Sequence, residues 1–364
     1  GMLDRTHDIK FMSFDIARKA VDFLIDNSTY SDKLFIGFYG GEPLLNFNLI
    51  KKIVYYTEDK VRNKEILYGI TTNGYLINQN VIDFFKEYNF TVTVSLDGPK
   101  EIHDKNRRLA IDGSGTYDSV YKNMQLMKEN GLRFGINAVW DTEVSFRDID
   151  DYFSSDPLYK NIPYNIEQVL TGRVDIGYNI DPDSEYQGNV YSVKSYLNYL
   201  GVYGTLTEDK RQYVITPFEA ISKQIVERDK VQDVFHHGGP CIPGYLKLFI
   251  DCDGNFYPCE KISGKSQAMK IGTIENGFDM EQIRNVLNIG KLTQEECKSC
   301  WAMNLCEICG MWADNSEPCF CKKMKINRCN YIRNNANKAI MDYIIMSEIK
   351  QLIKENAEVA YEQT

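Results

Sequence analysis

Between residues 13 and 140 an amphipathic helical stretch is followed by a brief apolar run, and this happens four times. The helical stretches are 13–27, 46–62, 78–88 and 116–130; the runs are 34–39, 66–71, 90–96 and 132–140. The first stretch opens at Ser13, a side chain suited to capping, and spaces Ile16, Ala20, Phe23 and Leu24 along one helical face. Gly131 closes the fourth as a typical C-terminal stop. Residues 165–170 are expected to add a fifth strand. Such alternation with short links favours parallel βαβ units, as an open sheet or as a barrel. In either, ligands bind at the carboxyl ends of the strands. Residues 1–170 are therefore read as one α/β unit.

Residues 171–235 break the rhythm and are rich in Tyr and Asp, as an insertion or a substrate-facing linker would be. Over 236–332 the texture turns to cysteines, glycines and short hairpins. Residues 333–364 are expected to be helical, over 334–359, with Met341, Ile345, Ile349, Leu352 and Ile353 on one face.

All ten cysteines lie between Cys241 and Cys329. The start of the chain shows no apolar signal core, and no apolar run is long enough to span a membrane. The expected location is therefore the cytoplasm, where thiols stay reduced and clustered cysteines read as a metal or iron–sulfur site rather than a disulfide scaffold. The net charge of −9 argues against nucleic acid as a partner.

Polar groups recur at three successive strand ends: Gly40-Gly41-Glu42-Pro43, then Thr72-Asn73-Gly74, then Ser95-Leu96-Asp97-Gly98-Pro99 with His103, Asp104 and Arg107 behind it. Two glycines let backbone approach a ligand closely, and Glu42 offers a carboxylate to an ammonium group. Each motif alone also suits an ordinary turn; their order and placement favour one small polar ligand. In the last third, Cys297 and Cys300 have metal-ligand spacing, with Cys306, Cys309, Cys319, Cys321 and Cys329 to follow. Zinc and iron–sulfur are both compatible with that pattern.

The series of strand-end motifs resembles the core of radical S-adenosylmethionine (SAM) enzymes. It is most similar to those with a SPASM extension, such as anaerobic sulfatase-maturating enzymes and maturases of cysteine-rich peptides. The resemblance implies a partial (β/α) barrel, a small cysteine-rich SPASM domain and a C-terminal helix. It implies that Gly40, Gly41 and Glu42 hold the SAM amino group. Asn73 and Ser95 would lie near its ribose or methionine portion, and Arg107 near its carboxylate. The family's CxxxCxxC loop, which holds the SAM-binding [4Fe–4S] cluster, has no counterpart before Cys241. The barrel is therefore expected to lack its first strand, and the chain as written should not cleave SAM reductively. Gly1 before Met2 reads as a residue left by tag removal, which favours a shortened chain over a natural degenerate one.

The resemblance further implies two auxiliary [4Fe–4S] clusters. Cys241, Cys259 and Cys309 would serve the first; Cys297, Cys300, Cys306 and Cys329 the second. Cys252, His236 or a peptide substrate could complete the first set, while Cys319 and Cys321 have no assigned place. Glu260, directly after Cys259, matches a substrate-side base, although a solvated surface glutamate would look the same. The implied activity is hydrogen abstraction from a residue of a peptide, with thioether formation in a cysteine-rich peptide as one outcome and a flavodoxin or ferredoxin as reductant. The rival is a non-catalytic, zinc- or cluster-stabilised peptide-binding remnant.

Overall fold

The computed structural model describes residues 10–140, 144, 146–168 and 242–362, with isolated positions 193, 197 and 225; side chains are not described at 140, 146–147, 167–168 and 356–362. Apart from those three isolated positions, the expected linker 171–235 lies outside the described residues, as do His236 and Cys241.

Helix α1 (Phe14–Asn27) begins as its sequence predicts, with the Ser13 hydroxyl accepting the Ile16 amide. Strand β1 (Lys33–Phe38), α2 (Phe47–Lys60), β2 (Glu65–Thr72), α3 (Gln79–Glu87) and β3 (Thr91–Ser95) follow. Then come α4 (Lys100–Asn106), α5 (Tyr117–Glu129), β4 (Phe134–Trp140), α6 (Phe146–Ser155) and β5 (Tyr164–Gln168). Gly131 takes φ +68° just past α5, the left-handed stop that its position suggested.

The five strands pair in parallel in the order β1-β2-β3-β4-β5. A doubly wound sheet must reverse its order somewhere; this one never does. Right-handed crossovers that always advance in one direction put every helix on the same face. That decides between the two arrangements the alternation left open: the sheet is the partial barrel that the resemblance implied. Strand alternation shows the same division. Tyr68, Ile70, Val92, Val94, Phe134 and Ile136 are buried against the helix layer, within one core with Ile50, Val54, Phe85 and Met124. The intervening residues, among them Gly37, Thr71, Thr93 and Asn137, face the open concave side.

The cysteine-rich part carries a small antiparallel sheet of β6 (Phe249–Ile250), β7 (Asn255–Tyr257), β8 (Gly272–Thr273) and β9 (Gly277–Phe278). After it come α7 (Met280–Leu287), α8 (Gln294–Lys298), α9 (Lys322–Asn327) and α10 (Cys329–Glu362). Helix α1 ties the two sheets together. Phe23 packs on Phe256 and Phe278 at ring-centroid distances of 4.9 and 5.2 Å, and Lys19 pairs with Glu275 at 2.8 Å.

Helix α10 starts at Cys329, five residues before the predicted 334, so the expected boundary at 333 falls inside a continuous helix. Its packed residues are Ile332, Ala336 and Met346, while Met341, Ile345, Leu352 and Ile353 of the predicted apolar face are at least 36% exposed. No helix among the described residues is long and apolar enough to cross a membrane.

Candidate functional site

Register brings the strand ends together. Thr72 pairs with Val94, Ser95 with Asn137, and Asn137 with Asn165. One residue beyond Thr72 stands Asn73, so Asn73, Ser95, Asn137 and Asn165 form one transverse polar row on the concave side, at the carboxyl ends of β2 and β3, across the middle of β4 and into the start of β5. Neighbouring strands are about 4.8 Å apart, so the row spans three such steps. Asn165 Nδ2 donates to Asn137 Oδ1 at 3.3 Å. The sequence pointed to Asn73 and Ser95 but not to Asn137 or Asn165. The sequence signal for Asn137 is a polar residue inside an otherwise apolar strand; Asn165, in Tyr164-Asn165-Ile166-Glu167-Gln168, has no such signal.

The Gly40-Gly41-Glu42 turn stands beside this row. Gly40 has φ +151°, a conformation open to glycine. The Glu42 carboxylate accepts three hydrogen bonds: from the Leu44 amide (3.0 Å), the Thr72 hydroxyl (2.8 Å) and the Asn73 amide (2.7 Å). It therefore fastens the first strand-end turn to the second. Two carboxylate oxygens offer about four acceptor positions, so this clamp leaves capacity for an ammonium donor.

Behind the third strand end a buried network sets the backbone. Arg107 donates in a fork to Asp97, Nε to Oδ2 at 2.6 Å and Nη2 to Oδ1 at 2.9 Å, and the Val139 amide donates to Oδ1 at 3.1 Å. The Arg107 guanidinium is thus directed at Asp97, in a bidentate geometry that lysine could not reproduce. His103 is fully buried. Its Nδ1 accepts the Asp97 amide at 3.3 Å, so the proton sits on Nε2, which donates to Thr116 Oγ1 at 3.0 Å; that hydroxyl donates on to the Arg107 carbonyl at 3.2 Å. Burial pushes the His103 pKa down to about 4, and the neutral ring is the form this chain of bonds requires.

In the cysteine-rich part, Glu260 is not a solvated surface residue. Its side chain is 15% exposed, with Lys247 Nζ 2.5 Å from Oε2. Cys259, next to it, packs on the core of the small sheet. Cys252 donates its thiol to the Lys10 carbonyl at 3.7 Å.

Cys297, Cys300, Cys306 and Cys329 are half-buried neighbours. The Cys300 amide donates to the Cys297 carbonyl at 3.0 Å, closing the CxxC turn. Burial pushes the Cys306 thiol up, and the sulfurs of Cys297 and Cys329 push it further. Burial likewise raises Cys329; Arg333 opposes that shift while Cys297 and Cys300 add to it. Within this group lies Lys325, 1% exposed. Burial disfavours its charge, and the sulfurs of Cys297, Cys306 and Cys329, with Glu296, favour it. A buried cation ringed by thiols suits an anionic metal–thiolate centre. Among the described residues no three His, Cys, Asp or Glu side chains close tightly enough to hold a single ion. A four-iron cubane carries each thiolate on its own iron, and its ligand ring is wider. Cys319 is exposed and Cys321 stands at the N-terminal end of α9, away from any assigned role.

Residues 6–153 match the Radical SAM superfamily. The radical SAM cyclopropyl synthase TigE of Paramaledivibacter caminithermalis is 34% identical over 139 residues, 38% of this chain and 27% of its own. A cysteine-type anaerobic sulfatase-maturating enzyme of Clostridium novyi is 26% identical over 303 residues, 80% of this chain and 75% of its own. The solved structure of native anSMEcpe with bound AdoMet and Kp18Cys peptide superposes with a TM-score of 0.63 at 22% identity, covering 90% of this chain and 91% of that one. The fold is therefore that of the sulfatase-maturating enzymes. Three relatives above 30% identity are matched over only 44%, 27% and 31% of their own length.

Proposed function

Given a radical SAM domain over residues 6–153, we propose that the protein is a radical SAM enzyme that modifies a peptide, with its auxiliary iron–sulfur site in the cysteine-rich part. The observation that carries this reading is the polar row Asn73, Ser95, Asn137 and Asn165, which starts beside the glycine-glycine-glutamate turn at the carboxyl ends of β1, β2 and β3 in a one-directional parallel sheet. When bound, SAM with a reduced four-iron cluster supplies hydrogen-atom abstraction.

The chain's own residues bind and orient. The Gly40 and Gly41 backbone and the Glu42 carboxylate receive the amino group of SAM. Asn73 and Ser95 contact its ribose or methionine portion. Arg107 acts through Asp97, holding the ends of β3 and β4 in register beneath the ligand. Glu260, beside Lys247, faces the peptide and takes the proton released as the substrate is oxidised. Cys297, Cys300, Cys306 and Cys329 hold one auxiliary cluster; Cys259 and Cys309, with Cys241, hold another. Thiolates carry such clusters, and binding one takes the protons off its ligating thiols. Structural neighbours bearing AdoMet and a peptide support a peptide substrate. A cysteine-rich peptide, and a flavodoxin or ferredoxin as reductant, complete the reading.

The CxxxCxxC loop is not among these 364 residues, so binding rather than turnover is the appropriate test. Hydrogen exchange of the chain at saturating SAM should protect segments 39–44, 72–75, 95–99 and 137–139. Glu42→Ala should abolish the protection. Exchange unchanged by SAM in the native chain would refute the site.

A further inference from the structure

Lys325 and Thr293 are both 1% exposed, although neither is apolar. Lysine is almost never fully buried without a partner that requires it. Lys325 Nζ donates to the Ile289 carbonyl at 2.8 Å and to Thr293 Oγ1 at 2.7 Å. Thr293 Oγ1 in turn lies 3.3 Å from Cys297 Sγ. An ammonium group only donates, so the threonine oxygen accepts from Lys325; toward a cluster-bound Cys297 thiolate, which only accepts, its single hydroxyl proton is left for the sulfur. The contacts thus have one direction: ammonium to hydroxyl to sulfur. The geometry is local, since Thr293 closes the 3₁₀ turn Ile289–Thr293 and immediately precedes α8, on which Cys297 stands, its hydroxyl making no cap bond to that helix. The backbone of the same lysine meets a second sulfur, with Cys329 Sγ 3.8 Å from the Lys325 carbonyl.

We propose that Lys325 and Thr293 form a relay that donates a hydrogen bond to Cys297 and sets the reduction potential of the iron–sulfur centre held by Cys297, Cys300, Cys306 and Cys329. The proposal rests on the ligand assignment made above. Hydrogen bonds to cluster sulfurs and buried charge are two of the means by which proteins tune such potentials. Both act in one direction here. They stabilise the reduced, more negative state and raise the midpoint. Lys325 and Thr293 are positioning residues, not ligands.

The test is an anaerobic, EPR-monitored redox titration of the iron-reconstituted full chain. Thr293→Val keeps the shape and removes the hydroxyl; Thr293→Ser keeps the hydroxyl. Thr293→Val should change the ratio of reduced to oxidised centre about tenfold at fixed potential, a fall in midpoint of about 59 mV for one electron. Thr293→Ser should stay near the native midpoint. Lys325→Met should shift the midpoint in the same direction as Thr293→Val, with iron content retained in Thr293→Val throughout. An iron-loaded native chain and Thr293→Val with equal midpoints would overturn the relay alone. A native chain that takes up no iron would overturn the ligand assignment and the relay with it.

Discussion

Replacing Asp97 with Asn tests whether the third strand end is held by charge. Asn exchanges one acceptor oxygen for a group that only donates, beneath an Arg107 that also only donates. Oδ1 now serves the Val139 amide and Arg107 Nη2, and Oδ2 serves Arg107 Nε. Whichever way the amide turns, at least one donor of Arg107 loses its acceptor. A hydrogen bond to a charged group contributes about 1.5–3 kcal/mol, and breaking a fully buried pair costs about 3–5 kcal/mol. The Asp97 side chain is 7% exposed, but that of Arg107 is 28% exposed and can recruit water. The expected cost therefore sits below the fully buried limit, at about 2–3 kcal/mol. Urea unfolding at unchanged m reads it as a lower midpoint. A cycle with Arg107→Met should show coupling above about 1 kcal/mol. Additive single variants, or an Asp97→Asn within about 0.5 kcal/mol of the native chain, would refute the clamp.

Three further outcomes follow from the same structure. His103 is held neutral with a pKa near 4, whereas an unfolded histidine titrates near 6.5; between those values the unfolded chain binds more protons. Stability should be unaffected by His103 above about pH 7 and fall by about 3 kcal/mol as pH drops through 6.5 towards 4, a slope that His103→Gln should flatten in urea titrations across that window. Gly74 has φ +75°, and a Cβ there would lie 2.9 Å from Val94 Cγ1. Gly74→Ala should cost about 2 kcal/mol or more by unfolding midpoint, with Gly113→Ala, also at positive φ but in open space, costing less. Phe23→Ala should remove about 2–4 kcal/mol of packing between α1 and the small sheet, read as faster limited proteolysis of the cysteine-rich part.

Much of the fold was legible because it rests on local chemistry. Ser13 reads as a cap and is one; Gly131 reads as a stop and takes the left-handed conformation. The five strands stand where apolar runs predict them. Helix α4 was not anticipated, because Lys-Glu-Ile-His-Asp-Lys-Asn offers one apolar residue and its reason for folding is the buried His103 network. Asn137 and Asn165 escaped notice because pairing register, a tertiary property, is what lines them up with Ser95. Lys325 sits in the run Lys322-Lys323-Met324-Lys325, which reads as a solvated basic face. Only packing against the 3₁₀ turn Ile289–Thr293 turns it inward. The alternation of elements left barrel and open sheet both open; the resemblance implied the partial barrel, and the observed strand order bears it out.

The most direct measurement is iron and acid-labile sulfide per chain after anaerobic reconstitution, for the native protein and for Cys297→Ser/Cys300→Ser. The account predicts iron and sulfide in equal amounts and a loss of about four irons in the double variant. Zinc without sulfide, or an iron content that the double substitution leaves unchanged, would contradict it.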